Sequence, residues 1–294
     1  MEKKNIVAAM GFFDGVHKGH GELLKAAKKY GDENGAKSAV ITFDRRPMNL
    51  VNMKQTELIN TLADKKKIIS EKYGIDIVIP LPFDKNLMET PWDTFVRDMV
   101  DQYGISCFVV GFDFHFGYKG EGNYKRLQEL CQKMGIGCIV IDEVTIDGMK
   151  VSSTHIRSFI KDGKMKKANE FLGHRHILTE KIITGNQIGR TIGVPTANMI
   201  IPQGIITPRY GVYAADFITE DGKRYRAVTN VGVRPTVSGE GVTVESHIID
   251  FSGDIYGRMC TVEFIDFLRD EKKFSGIDEL KKQIEKDINT VRNV

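Results

Sequence analysis

Two histidines three residues apart, His17 and His20, stand in a stretch punctuated by glycine: Gly11-Phe12-Phe13-Asp14-Gly15-Val16-His17-Lys18-Gly19-His20. A spacing of three puts both imidazoles on one face of a helix start. Free backbone N–H groups and the positive end of the helix dipole converge on the same first turn, so the stretch is suited to gripping a phosphate. A zinc helix of the HExxH type would set its histidines four apart with a glutamate between them, and that pattern is absent here. A surface turn with two solvated histidines is the plainer alternative. The glycines at 11, 15 and 19 weigh against it, because each removes a Cβ where the backbone must bend or be approached closely.

Three further groupings have chemical potential. Val151-Ser152-Ser153-Thr154-His155-Ile156-Arg157 places hydroxyls and a fork-shaped cation ahead of a helical stretch, Ser158 to Leu172. Such hydroxyls cap a helix or bind phosphate oxygens, and taken alone the segment reads as a simple cap. The run from Gly185 to Asn198 is the densest cluster of glycines and polar residues in its half. It is not a Walker A loop, since its glycine spacing is one short and Arg190 stands where lysine would be. Gly185, Gly189 and Gly193 can still expose N–H groups to an anion, and the oxygens of Thr196 and Asn198 are hard ligands suited to Mg²⁺. A glycine-rich connection between strands would look the same. Glu245 shares a face of its alternating strand with Thr243 and His247, which describes a solvent face as well as a site.

The elements that must position these residues fall into two kinds. As far as residue 142, apolar strand-like runs (Ile6 to Met10, Ser38 to Phe43, Ile75 to Leu81, Ser106 to Gly111, Ile136 to Ile141) alternate with amphipathic helical stretches. The helices are predicted over Gly19 to Glu33, Glu57 to Tyr73, Pro91 to Tyr103 and Asn123 to Met134, with Thr90 and Pro91 as a cap and first-turn pair. Parallel neighbours need crossovers and the crossovers cover both faces, so the pattern predicts a doubly wound parallel sheet. Ligands of such sheets bind beyond the carboxyl ends of the strands. The His17/His20 loop, Phe43-Asp44-Arg45-Arg46-Pro47 and Gly111-Phe112-Asp113-Phe114-His115-Phe116-Gly117 all lie at such ends.

After Gly173 runs of β-branched residues follow one another without helices: Ile177 to Thr184, Gly211 to Thr219, Arg224 to Val231, Val242 to Ile249 and Arg258 to Phe267. Asp221-Gly222 signals a hairpin. An antiparallel sheet or small barrel is predicted, closed by a helix from Ile277 to about Val291. The domains are accordingly placed at 1–173 and 174–294.

A length of 294 residues fits two domains at roughly 150 residues each. The 41% apolar and 28% charged composition is that of a soluble globular protein, and with neither a membrane span nor a signal peptide a cytoplasmic location is expected. Cys107, Cys131, Cys138 and Cys260 show no CxxC spacing, so neither disulfides nor structural zinc is expected. A net charge of +3 gives no argument for nucleic acid, and the lysines at 65 to 67 and 164 to 167 read as solvated helix faces.

The first stretch resembles the HxGH signature of the nucleotidyltransferase superfamily. Its longer form, G-x-F-D-G-V-H-x-G-H, is similar to the bacterial bifunctional riboflavin kinase/FAD synthetases. The resemblance implies a Rossmann-like first domain in which His17 and His20 meet the ATP triphosphate at the bond being broken, with Gly11, Phe12, Asp14 and Gly19 also on the nucleotide. Ser152, Ser153, Thr154 and Arg157 resemble the S-S-T-x-I-R motif that closes such a site on the β- and γ-phosphates. Asp44, Arg45, Arg46, Phe112 and Asp113 fall on the flavin side.

Gly185 to Asn198 resembles the flavokinase motif G-x-x-x-G-R-x-x-G-x-P-T-A-N and matches it at every named position. This implies that Gly185, Gly189, Arg190, Gly193, Pro195, Thr196 and Asn198 serve ATP and flavin, with Thr196 and Asn198 on magnesium. Gly211-Val212-Tyr213 and Asn230 to Thr236 match as well, and Glu245 aligns with that family's catalytic base. Three departures concern the first site: Arg45-Arg46-Pro47 replaces a Pro-x-Pro, Phe112 stands where a small or acidic residue is frequent, and His155 where arginine is common. The implied activity is phosphorylation of riboflavin to FMN and adenylylation of FMN to FAD, with riboflavin, FMN and ATP as small-molecule partners and the oligomeric state left open. A kinase with an altered first half and a flavin-responsive RNA-binding regulator are the alternatives.

Overall fold

The computed structural model of the protein describes residues 5–44, 56–184, 193–236 and 239–294. Arg45, Arg46, Gly185, Gly189 and Arg190 lie outside the described residues. The chain forms two compact units, one of Met1–Leu58 and Lys65–Ser152, the other of Ile59–Asp64 and Ser153–Val294.

In the first unit β1 (Ile6–Met10), β2 (Lys37–Phe43), β3 (Ile77–Leu81), β4 (Ile105–Gly111) and β5 (Gly137–Ile141) form a five-stranded sheet in the order β3-β2-β1-β4-β5. All four pairings are parallel. Val7, Ala8 and Ala9 of the central strand are fully buried, as a strand covered on both faces requires. Its longer helices are α1 (Lys18–Glu33), α2 (Leu62–Tyr73), whose first three residues fall in the second unit, α3 (Trp92–Tyr103) and α4 (Tyr124–Met134). On α3 the buried Phe95, Val96, Met99 and Val100 recur at helical spacing and join Phe108, Met10 and Ile41 in one core. The strand order reverses between β1 and β4, so the loops after these two strands diverge and leave a crevice at the carboxyl ends.

Most boundaries fall within two residues of expectation, and two differences have a clear local cause. Helix α2 begins at Leu62 rather than Glu57, because Ile59 and Asn60 are buried in a non-helical segment ahead of it. Pro91 has φ −55° and ψ 145° and is the N-cap of α3 rather than its first residue.

The second unit contains α5 (Ser153–Lys161) and α6 (Met165–Leu172) where one helix from Ser158 was expected. Gly163, at φ 74°, separates them; a Cβ there would lie 3.0 Å from Arg209 Cδ and 3.3 Å from Phe267 Cγ. Ser153, Thr154 and His155 therefore belong to the first turn of α5 instead of preceding a helix.

Six strands follow: β6 (His176–Lys181), β7 (Ala197–Ile200), β8 (Gly211–Ile218), β9 (Arg224–Thr236), β10 (Gly239–Ile248) and β11 (Met259–Arg269). They pair antiparallel in the order β6-β11-β8-β9-β10-β7. Just beyond β6, Ile183 N–H donates to Asn198 O of β7 at 2.9 Å, joining the two edges into a small barrel. Helix α7 (Ile277–Arg292) covers Val212, Ala214 and Val228 with Ile288 and Val291, and Arg269 clamps it through Asp287 at 2.7 Å. Helices α5 and α6, which periodicity groups with the first half, pack within this unit. Asn169 Nδ2 donates to Phe264 O at 2.8 Å, and its Oδ1 accepts from His176 N–H at 2.8 Å.

Candidate active sites

The turn between β1 and α1 is held in a conformation its residues disfavour. Phe13 (φ 53°), Gly15 (φ 79°) and Val16 (φ 41°) are all left-handed, and a β-branched residue is seldom found there. Phe13 and Val16 are fully buried, so the surrounding packing imposes the turn. His17 is the N-cap of α1, its Nδ1 accepting from His20 N–H at 3.3 Å. The two imidazoles stack with centroids 3.6 Å apart, and the Phe13 ring rests 5.0 Å from His20. A Cβ on Gly19 would lie 3.2 Å from His17 Cε1 and Nδ1, so the stacked pair needs glycine between its members. His20 Nδ1 is enclosed without a hydrogen-bond partner. Burial, followed by His17 and Lys65, holds the His20 pKa well below its ordinary value of 6.5. An uncharged His20 at the helix N-terminus leaves the positive end of the dipole to attract an anion.

The other residues expected at this site fall into two groups. Gly11, Phe12 and the buried Asp14 lie in the same turn, and Val151 O is 3.9 Å from where a Gly19 Cβ would stand, which brings Ser152 to the start of α1. Phe112 and Asp113 follow β4 on the other side of the strand-order reversal. Lys150 Nζ pairs with Asp113 at 2.9 Å and Glu143 at 3.0 Å, 4.9 Å from the Phe112 ring centroid. Asp44 Oδ1 accepts from Phe83 N–H at 3.0 Å and so holds the loop after β3. Ser153, Thr154 and the buried Arg157 belong to α5 of the second unit.

One residue was misjudged by composition. Lys65, read with Lys66 and Lys67 as a solvated face, is only 3% exposed. Its Nζ donates to Phe12 O at 2.8 Å and to Thr42 Oγ1 at 3.3 Å, and lies 4.3 Å from the Phe12 ring centroid. Burial lowers its pKa to about 8, against the opposing pull of Asp14 and Asp44. The signal was its spacing: Lys65, Ile68 and Ile69 stand at i, i+3 and i+4 on the buried stripe of α2.

In the second unit Asn198, Glu245 and Asn230 lie directly opposite one another on β7, β10 and β9 and form one polar row. Glu245 is 7% exposed, so the solvent-face alternative does not hold. Thr243 Oγ1 donates to Glu245 Oε1 at 3.3 Å. Asn198 Nδ2 turns to Thr196, 3.2 Å from its carbonyl, while His247 Nδ1 lies 3.0 Å from Pro195 O. A cleft of about 330 Å³ opens beside Pro195, Thr196 and Asn198, with Phe251, Ile255 and Tyr256 on its other wall. Sequence reasoning had no separate indication of this aromatic wall. With its nitrogen turned to Thr196, the amide of Asn198 keeps its oxygen for another partner. Neutral oxygens without a carboxylate cage fit Mg²⁺ held jointly with substrate phosphates.

A family model for FAD synthetase matches residues 1–155, and one for riboflavin kinase matches residues 172–294. The bifunctional riboflavin kinase/FMN adenylyltransferase of Haemophilus influenzae is 36% identical over 287 residues, covering 96% of this chain and 92% of that protein. The chain belongs to the bifunctional riboflavin kinase/FMN adenylyltransferase family. Members from Listeria monocytogenes and Escherichia coli are 34% and 32% identical, covering 98% and 99% of this chain and 92% and 93% of their own lengths.

A crystal structure from Streptococcus pneumoniae, described as a macrolide-efflux protein, aligns over 100% of this chain and 95% of its own with a TM-score of 0.87 and 30% identity. Among the described residues of this family member no helix is long and apolar enough to cross a membrane.

Proposed function

We propose that the chain phosphorylates riboflavin to FMN at the Glu245 site and adenylylates FMN to FAD at the His17/His20 site. Similarity to bifunctional relatives over nearly the whole length is the observation that carries this reading. The two site geometries support it chemically.

At the kinase site the riboflavin 5′-hydroxyl attacks the γ-phosphorus of ATP, the new O–P bond forms as the β–γ bridge breaks, and ADP leaves. Glu245 takes the hydroxyl proton. It is buried in one row with Asn198 and Asn230, shielded from bulk water as a proton acceptor for this step must be. Thr196 and Asn198 would hold magnesium beside the phosphates. When bound, the ion neutralises charge on the transferring group. Gly185, Gly189, Arg190, Gly193 and Pro195 are assigned to ATP and flavin by resemblance.

At the adenylyltransferase site an FMN phosphate oxygen attacks the α-phosphorus of ATP and pyrophosphate departs, with no covalent enzyme intermediate. The first turn of α1, His17 and His20 supply positive potential and N–H donors to the charge that builds in the transition state. Ser152, Ser153, Thr154 and Arg157 are assigned to the β- and γ-phosphates by their motif. Asp44, Arg45, Arg46, Phe112 and Asp113 are assigned to the flavin side. Both reactions consume ATP, and the proposal places them in the cytoplasm.

Incubation with riboflavin, ATP and Mg²⁺, followed by chromatographic separation of flavins, is expected to show FMN first, then FAD with one pyrophosphate per FAD. Accumulation of FMN alone would leave a kinase with an altered first half, and unchanged riboflavin would refute the kinase activity, with supplied FMN then testing the adenylyltransferase.

A further inference from the structure

The buried ammonium of Lys65 is the chemically costliest group beside the first site, and the family motifs assign it nothing. It sits on α2, and its donors reach the turn between β1 and α1. Phe12 O accepts both from Lys65 Nζ at 2.8 Å and from Thr42 Oγ1 at 2.9 Å, and Thr42 is itself fully buried. In a trans peptide C=O and N–H point in opposite directions, so drawing the Phe12 carbonyl toward Lys65 turns the Phe13 N–H away from it. The next residue is the left-handed Phe13, whose ring lies against His20, and His20 stacks on His17. A continuous chain of contacts therefore runs from Lys65 through Phe12 and Phe13 to the imidazole pair.

We propose that Lys65 is a positioning residue for adenylyl transfer: by holding the Phe12 carbonyl it fixes the strained turn, and through Phe13 it sets the pose of His20. This rests on the adenylyltransferase reading of the site. The ammonium also acts on His20 directly, since its charge is among the causes that keep that imidazole neutral in the free enzyme. The arrangement has a stability cost. A folded pKa of about 8, against the ordinary 10.5, means that the fold disfavours the charged form, while Asp14 and Asp44 offset part of the penalty. A lysine kept solely for packing would be replaced by an apolar residue with profit to stability.

The test compares the full chain with Lys65→Met and Lys65→Arg, measuring FAD formation from FMN, FMN formation from riboflavin and thermal unfolding on the same preparations. Misplacement of reacting groups by about 1 Å costs on the order of 10²-fold. Lys65→Met is expected to lose FAD formation to that extent, to keep FMN formation within about twofold and to melt no lower than the parent. Lys65→Arg, which still donates and stays charged, should recover most of the lost rate. It should also lose the alkaline decline in kcat/KM expected of the parent above about pH 8, where Lys65 gives up its proton. Unchanged FAD formation in Lys65→Met would overturn the proposal, as would a loss of FAD formation matched by a lowered melting temperature and not rescued by arginine. A parent that forms no FAD would instead refute the adenylyltransferase reading itself.

Discussion

His176 carries the clearest pH dependence of a single side chain in the second unit. It is buried against Phe264, its Nδ1 has no partner, and burial with help from His174 pushes its pKa down to about 3. Between that value and the ordinary 6.5 the unfolded chain binds a proton that the folded chain refuses, so stability falls as pH drops below 6.5 and this loss levels off near pH 3. His176→Phe keeps the ring contact and removes the titration. Urea unfolding at pH 7 and pH 4.5 should show the parent losing on the order of 2 kcal/mol more than the variant across that interval. Equal losses would place the acid sensitivity elsewhere. At this scale the sequence was informative where chemistry depends on residue type at fixed spacing, as for His17, Gly19 and His20. It was silent on Phe13 and Val16, whose left-handed backbone is imposed by tertiary packing, and on Lys65, whose charge argued for solvent while its helical position argued for burial. Arg45 and Arg46 keep the flavin-side role proposed for them.

At the scale of elements, α5 and α6 belong to the second unit through Asn169, which bridges Phe264 O on β11 and the N–H of His176 at the head of β6. The change from helices to strands after Gly173 reports each segment's own period and says nothing about which core it covers. The same limit explains β7. Four residues long and preceded by a glycine-rich run, it reads as part of a loop, although it is the strand that carries Asn198 opposite Glu245. The strands of the parallel sheet were legible because each is an apolar run, buried on both faces in β1, β2 and β4 and half-buried in the edge strands β3 and β5. A fragment of residues 175–294 leaves the α6-facing surface of β11 uncovered, whereas 153–294 retains both helices. Circular dichroism melts should therefore show the longer fragment unfolding cooperatively at a higher temperature. Indistinguishable melts would mean that α5 and α6 contribute nothing to the barrel's stability.

For the whole molecule, two phosphoryl chemistries stand in series on one chain, the FMN made by the kinase being the substrate of the adenylyltransferase, and the Glu245 and His17/His20 sites are the ones proposed to carry them. Both are legible in sequence for the same reason: each needs a short, glycine-marked segment whose backbone must approach phosphate, and such segments leave little freedom in residue type. Their independence is the central claim. It is tested most directly by supplying full-length His17→Ala and Glu245→Gln with either riboflavin or FMN, plus ATP and Mg²⁺, and following the flavins by chromatography. His17→Ala should convert riboflavin to FMN at the parental rate and slow FAD formation about 10²- to 10³-fold. Glu245→Gln should slow FMN formation about 10²- to 10⁴-fold yet convert supplied FMN to FAD normally, and mixing the two variants should restore riboflavin to FAD. Loss of both activities in either variant, or of neither, would contradict two separate sites with these residues at their centres.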